Sequence, residues 1–165
     1  MAVLLEAGLV NRRGRLQSRE QAQVLSQHLR EAEGQRIFDL TDGIYLTQED
    51  IREVQMAKGA IAAGIDLMAA HLEIEIQQIQ QVLLAGAFGS YIRPENACRI
   101  GLLPPVLLEK VRAVGNAAGS GSRRLACSRA ELDRAQRIVD QAEFLELASI
   151  PGFQKSFAKN MEFRP

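Results

Sequence analysis

The run Val82-Leu83-Leu84-Ala85 meets Gly86-Ala87-Phe88-Gly89, and Val111-Arg112-Ala113-Val114 meets Gly115-Asn116-Ala117-Ala118-Gly119-Ser120-Gly121. A short apolar run that stops on glycine reads as a buried strand entering a tight turn, since glycine adopts positive φ without a Cβ penalty. The design repeats after about thirty residues, the length of a strand, helix and parallel strand. The chain is therefore read as α/β, a central mixed β-sheet with α-helices on both sides. Leu83, Leu84, Val111, Val114, Leu145 and Leu147 are placed in or beside that sheet, the last two from an expected strand Phe144-Leu145-Glu146-Leu147.

Local signals place the other elements. Val3-Leu4-Leu5-Glu6-Ala7-Gly8 reads as helical turns ending on glycine, followed by a turn at Asn11-Arg12-Arg13-Gly14. Residues 18–30, polar and rich in Gln, are read as a short surface helix, with a loop as the alternative. Thr41-Asp42-Gly43 between Arg36-Ile37-Phe38-Asp39-Leu40 and Ile44-Tyr45-Leu46 is a hairpin signal. Thr47 then opens a helix to about His71, because its oxygen accepts orphan amide protons while Asp50 favours the positive dipole end. Ile51, Val54, Ala57, Ile61, Ile65 and Met68 give that helix one apolar face, and its glycines and alanines permit a neighbour's close approach. A short helix is expected within residues 73–81, and Ser90 is a candidate cap for the element after Gly89. Ser128 and Glu131 form a capping-box pattern before an amphipathic helix with Leu132, Ala135, Ile138 and Val139 on one face. Pro151 opens a last helix bearing Phe153 and Phe157, before a tail holding Phe163.

Charge and cysteine usage exclude several classes. Twenty Lys and Arg balance twenty Asp and Glu, with a pI near 6.7, so the whole surface is not that of a nucleic-acid or anionic-membrane binder. The apolar stretch of note, residues 82–88, is far short of the roughly 20 residues of a membrane span, and a cytoplasmic location is expected. Cys98 and Cys127 do not form a CxxC knuckle and read as small hydrophobes. His28 and His71 lack HxxxH or HExxH partners and read as surface or helix-end residues. Gly59 and Gly64 have Walker spacing with Ile65 in place of Lys, and Gly119 and Gly121 begin GxGxxG with Arg124 in place of the last glycine. Neither phosphate motif is complete. Arg12, Arg13 and Arg15, like Arg123 and Arg124, read as solvated charge, with phosphate contact a lesser option for the last two, which follow a glycine loop.

The candidate binding residues are those of the glycine turns. Without a Cβ, backbone approaches a ligand closely, and a following helix aims amide protons at polar or anionic groups. Two adjacent turns would cradle a nucleotide; the same glycines also serve tight turns and close helix packing, and both readings stay open. Gln55 and Lys58, three apart on one helix, would reach a sugar hydroxyl or a base, or simply lie on a solvated face.

Several motifs in one order carry a resemblance. Gly8-Leu9-Val10-Asn11-Arg12-Arg13-Gly14-Arg15, Leu46-Thr47-Gln48-Glu49-Asp50-Ile51 through Gln55-Met56-Ala57-Lys58-Gly59-Ala60-Ile61, Leu84-Ala85-Gly86-Ala87-Phe88-Gly89-Ser90-Tyr91-Ile92, Ile100-Gly101-Leu102-Leu103-Pro104 and Val114-Gly115-Asn116-Ala117-Ala118-Gly119 span nearly the whole chain. Together they resemble the C-terminal domain of the reductive activators of corrinoid proteins. Those activators are iron–sulfur proteins whose ATPase domain is similar to acetate and sugar kinases, heat-shock chaperones and actin, a ribonuclease-H-like fold used twice.

The resemblance implies that the chain, a single domain over residues 1–165, is the second half of that ATPase domain, with residues 1–46 at the junction to a first half. It implies adenosine contact from Gly86, Ala87, Phe88, Gly89 and Ser90, with Gly115, Asn116 and Gly119 in the second connecting motif. Gln55 and Lys58 fall where chaperone members place a Glu and a Lys beside the adenosine, Gln55 departing from that Glu. No catalytic or metal-ligating residue is assigned. ATP, with Mg in the intact protein, is the implied cofactor; the [2Fe-2S] cluster would belong to an N-terminal domain outside this sequence. The implied partners are a corrinoid protein and the first half of the same domain, with a second copy of the chain a further candidate, and neither nucleic acid nor membrane is expected. Closure on ATP would then help reduce Co(II) to Co(I). The alternative reading is a non-catalytic interaction domain that binds no nucleotide.

Overall fold

The computed structural model describes every residue except Glu33 and Pro165; the side chains of Ala87, Phe88 and Ser90 also lie outside the description. Helix α1 (Ala2–Glu6) ends before Gly8, whose φ of +67° turns the chain back, and Leu9 N donates to the Leu4 carbonyl at 2.9 Å. Val10 and Leu16 then bridge across the Asn11–Gly14 turn, held from within because Asn11 Oδ1 accepts the amides of Arg13 and Arg15 at 3.0 Å each. The expected helix over residues 18–30 does not form. Turns and a single 3-10 turn, Ser26–His28, lead instead into β1 (Leu29–Ala32), which needs an extended backbone to pair with β2 (Gln35–Thr41).

The expected hairpin is present: β2 pairs antiparallel with β3 (Ile44–Thr47) around Gly43 at φ +76°, completing a sheet of order β1-β2-β3. Helix α2 (Gln48–His71) starts at the expected place, with Thr47 and Asp50 in a reciprocal capping box. Its buried face differs from the expected stripe. Ile51 is buried, but the other buried positions include Gln55, Lys58, Gly59, Ala62, Ala63 and Ala69, while Ile61 and Met68 are exposed. The reason is α7 (Phe153–Met161), which lies on the small-residue side: a Cβ at Gly59 would come within 3.3 Å of Met161, so only small residues admit it.

A 3-10 turn at Ile76–Gln78 stands in for the short helix expected in residues 73–81. Strands β4 (Val82–Ala85) and β5 (Val111–Gly115) form a separate parallel pair, so the described strands make two sheets rather than one central sheet. Only one face of β4 is covered: Val82 and Leu84 pack on Ala97, Cys98, Leu102 and Leu103, whereas Leu83 is exposed. Between the strands lie α3 (Gly86–Tyr91) and α4 (Pro94–Arg99), with an Arg99–Glu6 ion pair of 2.6 Å tying α4 to α1. Ser90 lies inside α3, and the residue preceding α4 is Arg93, so Ser90 does not cap that helix.

After β5 come α5 (Ala117–Cys127) and α6 (Arg129–Gln141), the latter capped by Ser128 Oγ accepting from Glu131 N. Leu132, Ile138 and Val139 remain exposed on α6. The strand expected at residues 144–147 is absent; Phe144 is exposed and a 3-10 turn, Leu147–Ser149, precedes α7. A strand there would need a neighbour to satisfy its backbone, and among the described residues none pairs with it. The larger core joins Leu4, Leu9, Val10, Leu16, Leu29, Phe38 and Ile51 to Phe163 from the far end of the chain. No helix among the described residues is long and apolar enough to cross a membrane.

Candidate functional site

Strands β4 and β5 run side by side in the same direction, so both glycine turns leave the sheet at one end. The register runs Val82 to Val111, Leu83 to Arg112 and Leu84 to Ala113, then slips so that Ala85 faces Gly115. That slip brings the two turns level. Gly86 has φ +67° and Gly115 φ +59°, conformations L side chains rarely adopt, and a Cβ at either would meet nothing within 4 Å. Glycine is thus favoured by the backbone at both bends, and the space in front of both is open.

The bends also touch through α3. A Cβ at Gly89 would fall on the Leu84 carbonyl, 2.8 Å from its carbon, and 3.3 Å from Gly115 N. Helix α3 is seated on the ends of both strands. On the other bend, Asn116 Oδ1 accepts Gly119 N at 2.8 Å and caps α5, and a Cβ at Gly119 would come 2.7 Å from Asn116 Nδ2. The amides of Ala117 and Ala118, in the first turn of α5, have no carbonyl within the helix to bond, the usual condition of a helix start. Gly86, Gly89, Gly115, Asn116 and Gly119 are therefore brought together at one edge. Ala87, Phe88 and Ser90 belong to α3, but their side chains lie outside the described residues.

Gln55 and Lys58 are engaged elsewhere. Both are buried, and both reach the chain's last residues: Gln55 Nε2 donates to the Met161 carbonyl at 3.0 Å, and Lys58 Nζ donates to the Glu162 carbonyl. The ammonium also lies 5.4 Å from the centre of the Phe163 ring, a cation–π distance. The solvated-face reading of these two residues is overturned. Donor groups on a buried helix face must find acceptors, and the tail's main-chain carbonyls provide them. Asn160, also buried, adds a bond from Nδ2 to Asp66 on α2 at 2.9 Å. Sequence reasoning missed this tail. Its one local signal was Phe163, an aromatic residue placed just beyond a helix carrying Phe153 and Phe157.

Burial lowers the Lys58 pKa from the ordinary 10.5 to about 8, with Arg164 pushing the same way and Glu162 opposing. The folded state then holds fewer protons than the unfolded chain between those pH values, so this group's contribution to stability rises with pH across that window. Comparing the wild type with Lys58→Met by urea denaturation at pH 7.5 and pH 10, we expect the difference to move in favour of the wild type by on the order of 1 kcal/mol at the higher pH. A pH-independent difference would contradict a desolvated ammonium. Cys98, buried with its thiol pushed up by burial and by Glu95, has none of the features of a reactive thiol. Among the described residues no group of three or more His, Cys, Asp or Glu is placed to hold a metal ion.

A parallel strand pair ending in two open glycine bends, flanked by helices, belongs to a mixed α/β domain. The family model described as the C-terminal domain of RACo, the ASKHA domain, matches residues 1–165, and the chain belongs to that family. It is 38% identical over 120 residues to the corrinoid activation enzyme RamQ of Eubacterium limosum, covering 73% of this chain and 20% of that protein. It is 26% identical over 126 residues to the [Co(II) methylated amine-specific corrinoid protein] reductase of Methanosarcina barkeri, covering 75% of this chain and 23% of the relative. The solved structure of a reductive activator for a corrinoid, iron–sulfur protein superposes with a TM-score of 0.87 at 30% identity, over 98% of this chain and 26% of the other. The chain thus spans about a fifth to a quarter of these relatives.

Proposed function

We propose that the chain is the adenosine-side, nucleotide-binding portion of an ATP-dependent reductive activator that acts on a corrinoid protein. The observation that carries this reading is the pair of glycine bends at one end of two parallel strands, both facing open space. Backbone there accommodates a flat polar group at close range, and the first amides of α5, which have no acceptor within their own helix, favour oxygen acceptors. The relatives' names support the corrinoid partner. In this proposal Gly86, Gly89, Gly115, Asn116 and Gly119 line the nucleotide side, with the backbone of Ala87, Phe88 and Ser90 alongside. Gln55 and Lys58 act at one remove, holding the tail against α2. The triphosphate's metal ion and the iron–sulfur cluster are assigned in this proposal to parts of the activator beyond these residues.

Titration calorimetry of the chain with ATP and with ADP tests the reading. Heat of binding is expected for the wild type, and weaker binding by about tenfold for Gly86→Ala and Gly115→Ala, whose methyl groups project into the open space, a loss of about 1.4 kcal/mol. Absence of heat, or affinity unchanged in both variants, would overturn nucleotide binding here. The interaction-domain alternative draws support from the exposed apolar residues of α6.

A further inference from the structure

Two hollows formed by residues remote in sequence from the glycine bends share a wall. One, of about 590 Å³, is lined by Arg15, Gly34, Gln35, Arg36, Gln48 and Arg52, with Glu31 and Glu49. The other, of about 430 Å³, lies between residues 17–20 and β1 and is lined by Arg19, Arg30 and Arg36, with Glu20 and Glu31. Arg36 and Glu31 belong to both, and they are direct neighbours across the β1–β2 ladder. The two hollows therefore form one groove. Among the described residues its arginines number five, Arg15, Arg19, Arg30, Arg36 and Arg52, against three glutamates, Glu20, Glu31 and Glu49; with Arg30 engaged by Asp39, one positive charge is in excess in a chain whose overall charge is zero.

The state of these arginines separates a functional groove from ordinary surface charge. Arg30 is paired with Asp39 at 2.7 Å, Arg19 donates to the Ser26 and Gln27 carbonyls, and Arg36 donates to the Leu16 carbonyl at 3.2 Å. Those contacts hold the guanidinium groups in place; Glu20, whose carboxyl is held low first by its hydrogen bond with Ser18, also feels the charges of Arg36 and Arg19. Arg15 and Arg52 are exposed and make no ion pair among the described residues, although Glu31 and Glu49 line the same wall. Beside them runs β1, the edge of its sheet, and among the described residues nothing hydrogen-bonds its outer side. An unpaired strand edge offers alternating N–H and C=O groups to any extended chain laid along it.

We propose that this groove docks an extended acidic segment of a partner protein, its carboxylates meeting Arg15, Arg36 and Arg52 and its backbone running along β1. Guanidinium groups take carboxylates through two parallel hydrogen bonds, which suits a row of arginines to a row of Asp and Glu side chains. The shape favours a peptide over a small anion. The groove is open and runs from the segment at residues 17–20 past β1 and β2 to the start of α2, whereas a single phosphate would be held by buried donors converging on one point. The proposal stands independently of nucleotide binding, which concerns the other set of residues.

The test is fluorescence anisotropy with a fluorescein-labelled octaglutamate peptide, at about 50 mM salt so that surface charges are not fully screened. Arg15→Glu with Arg52→Glu is compared with Arg129→Glu with Arg137→Glu on α6, which changes the net charge equally away from the groove. The groove pair is expected to weaken peptide binding about tenfold or more and the α6 pair less than about twofold. Equal weakening by both pairs would show general electrostatic attraction and overturn the proposal, as would no binding to the wild type. Tighter binding of tripolyphosphate, displacing the peptide, would identify a small-anion site instead and overturn it equally. Because Arg15 and Arg52 are exposed, the variants are expected to keep the wild-type urea midpoint.

Discussion

Replacing Phe163 by alanine is expected to cost about 3–5 kcal/mol of stability, the range for truncating a fully buried aromatic side chain. Residues so close to a chain end are ordinarily loose unless something ties them down. Here Phe163 is fully buried among Leu4, Leu9, Leu16, Leu29, Phe38 and Ile51, so its removal opens a cavity bounded by α1, β1, β2 and α2 together. Its amide also donates to the Arg12 carbonyl at 2.8 Å, and its ring carries the Lys58 ammonium. Loss of the ring leaves that ammonium buried with one contact fewer, which adds to the cavity cost. Urea denaturation followed by circular dichroism measures the effect, and Phe163→Leu is expected to recover more than half of it by refilling most of the volume. A loss below about 1 kcal/mol for the alanine variant would mean that the tail is not part of the core.

The features legible in the sequence are those decided within a few residues. Asp42-Gly43 specifies its hairpin because only a short list of residues takes the positive φ a two-strand turn demands, and Thr47 with Asp50 marks a helix start by chemistry three residues apart. Both glycine bends are legible for the same reason. The rest depends on partners far away. Nothing near Lys58 announces that its acceptor is Glu162, 104 residues on, or that Gln55 meets Met161, 106 residues on. Periodicity alone favours Ile61 and Met68 as the buried face of α2; the actual face is chosen by α7, which needs the glycines and alanines to come close. Phe144 and Leu145 have the composition of a strand but, among the described residues, no neighbour to pair with. The paired bends can therefore be placed at the correct residues from sequence, whereas the assignment of Gln55 and Lys58 requires the tail to be seen in place.

A methyl group added at Gly89 should destabilise the fold by about 1–3 kcal/mol or more, although the backbone there is helical and alanine is the better helix former. The opposing atom is the Leu84 carbonyl, part of β4, and a backbone oxygen cannot swing aside as a side chain would. Relief requires α3 to lift from the strand ends, which also breaks its contact with Gly115 N, 3.3 Å from the added carbon. Gly86→Ala is the informative comparison. That position faces open space, so its penalty is only the cost of holding alanine at φ +67°, about 1–2 kcal/mol. The two substitutions therefore separate seating from conformation. Gly89→Ala is expected to lower the urea midpoint and, when ATP is titrated, to weaken binding beyond what the shift in folded fraction explains, because it moves one bend relative to the other. Gly86→Ala should leave the spacing intact and act through the methyl group alone. If Gly89→Ala were as stable as the wild type, α3 would not rest on the strand ends as described, and the two bends would lose the rigid spacing on which a shared nucleotide pocket depends.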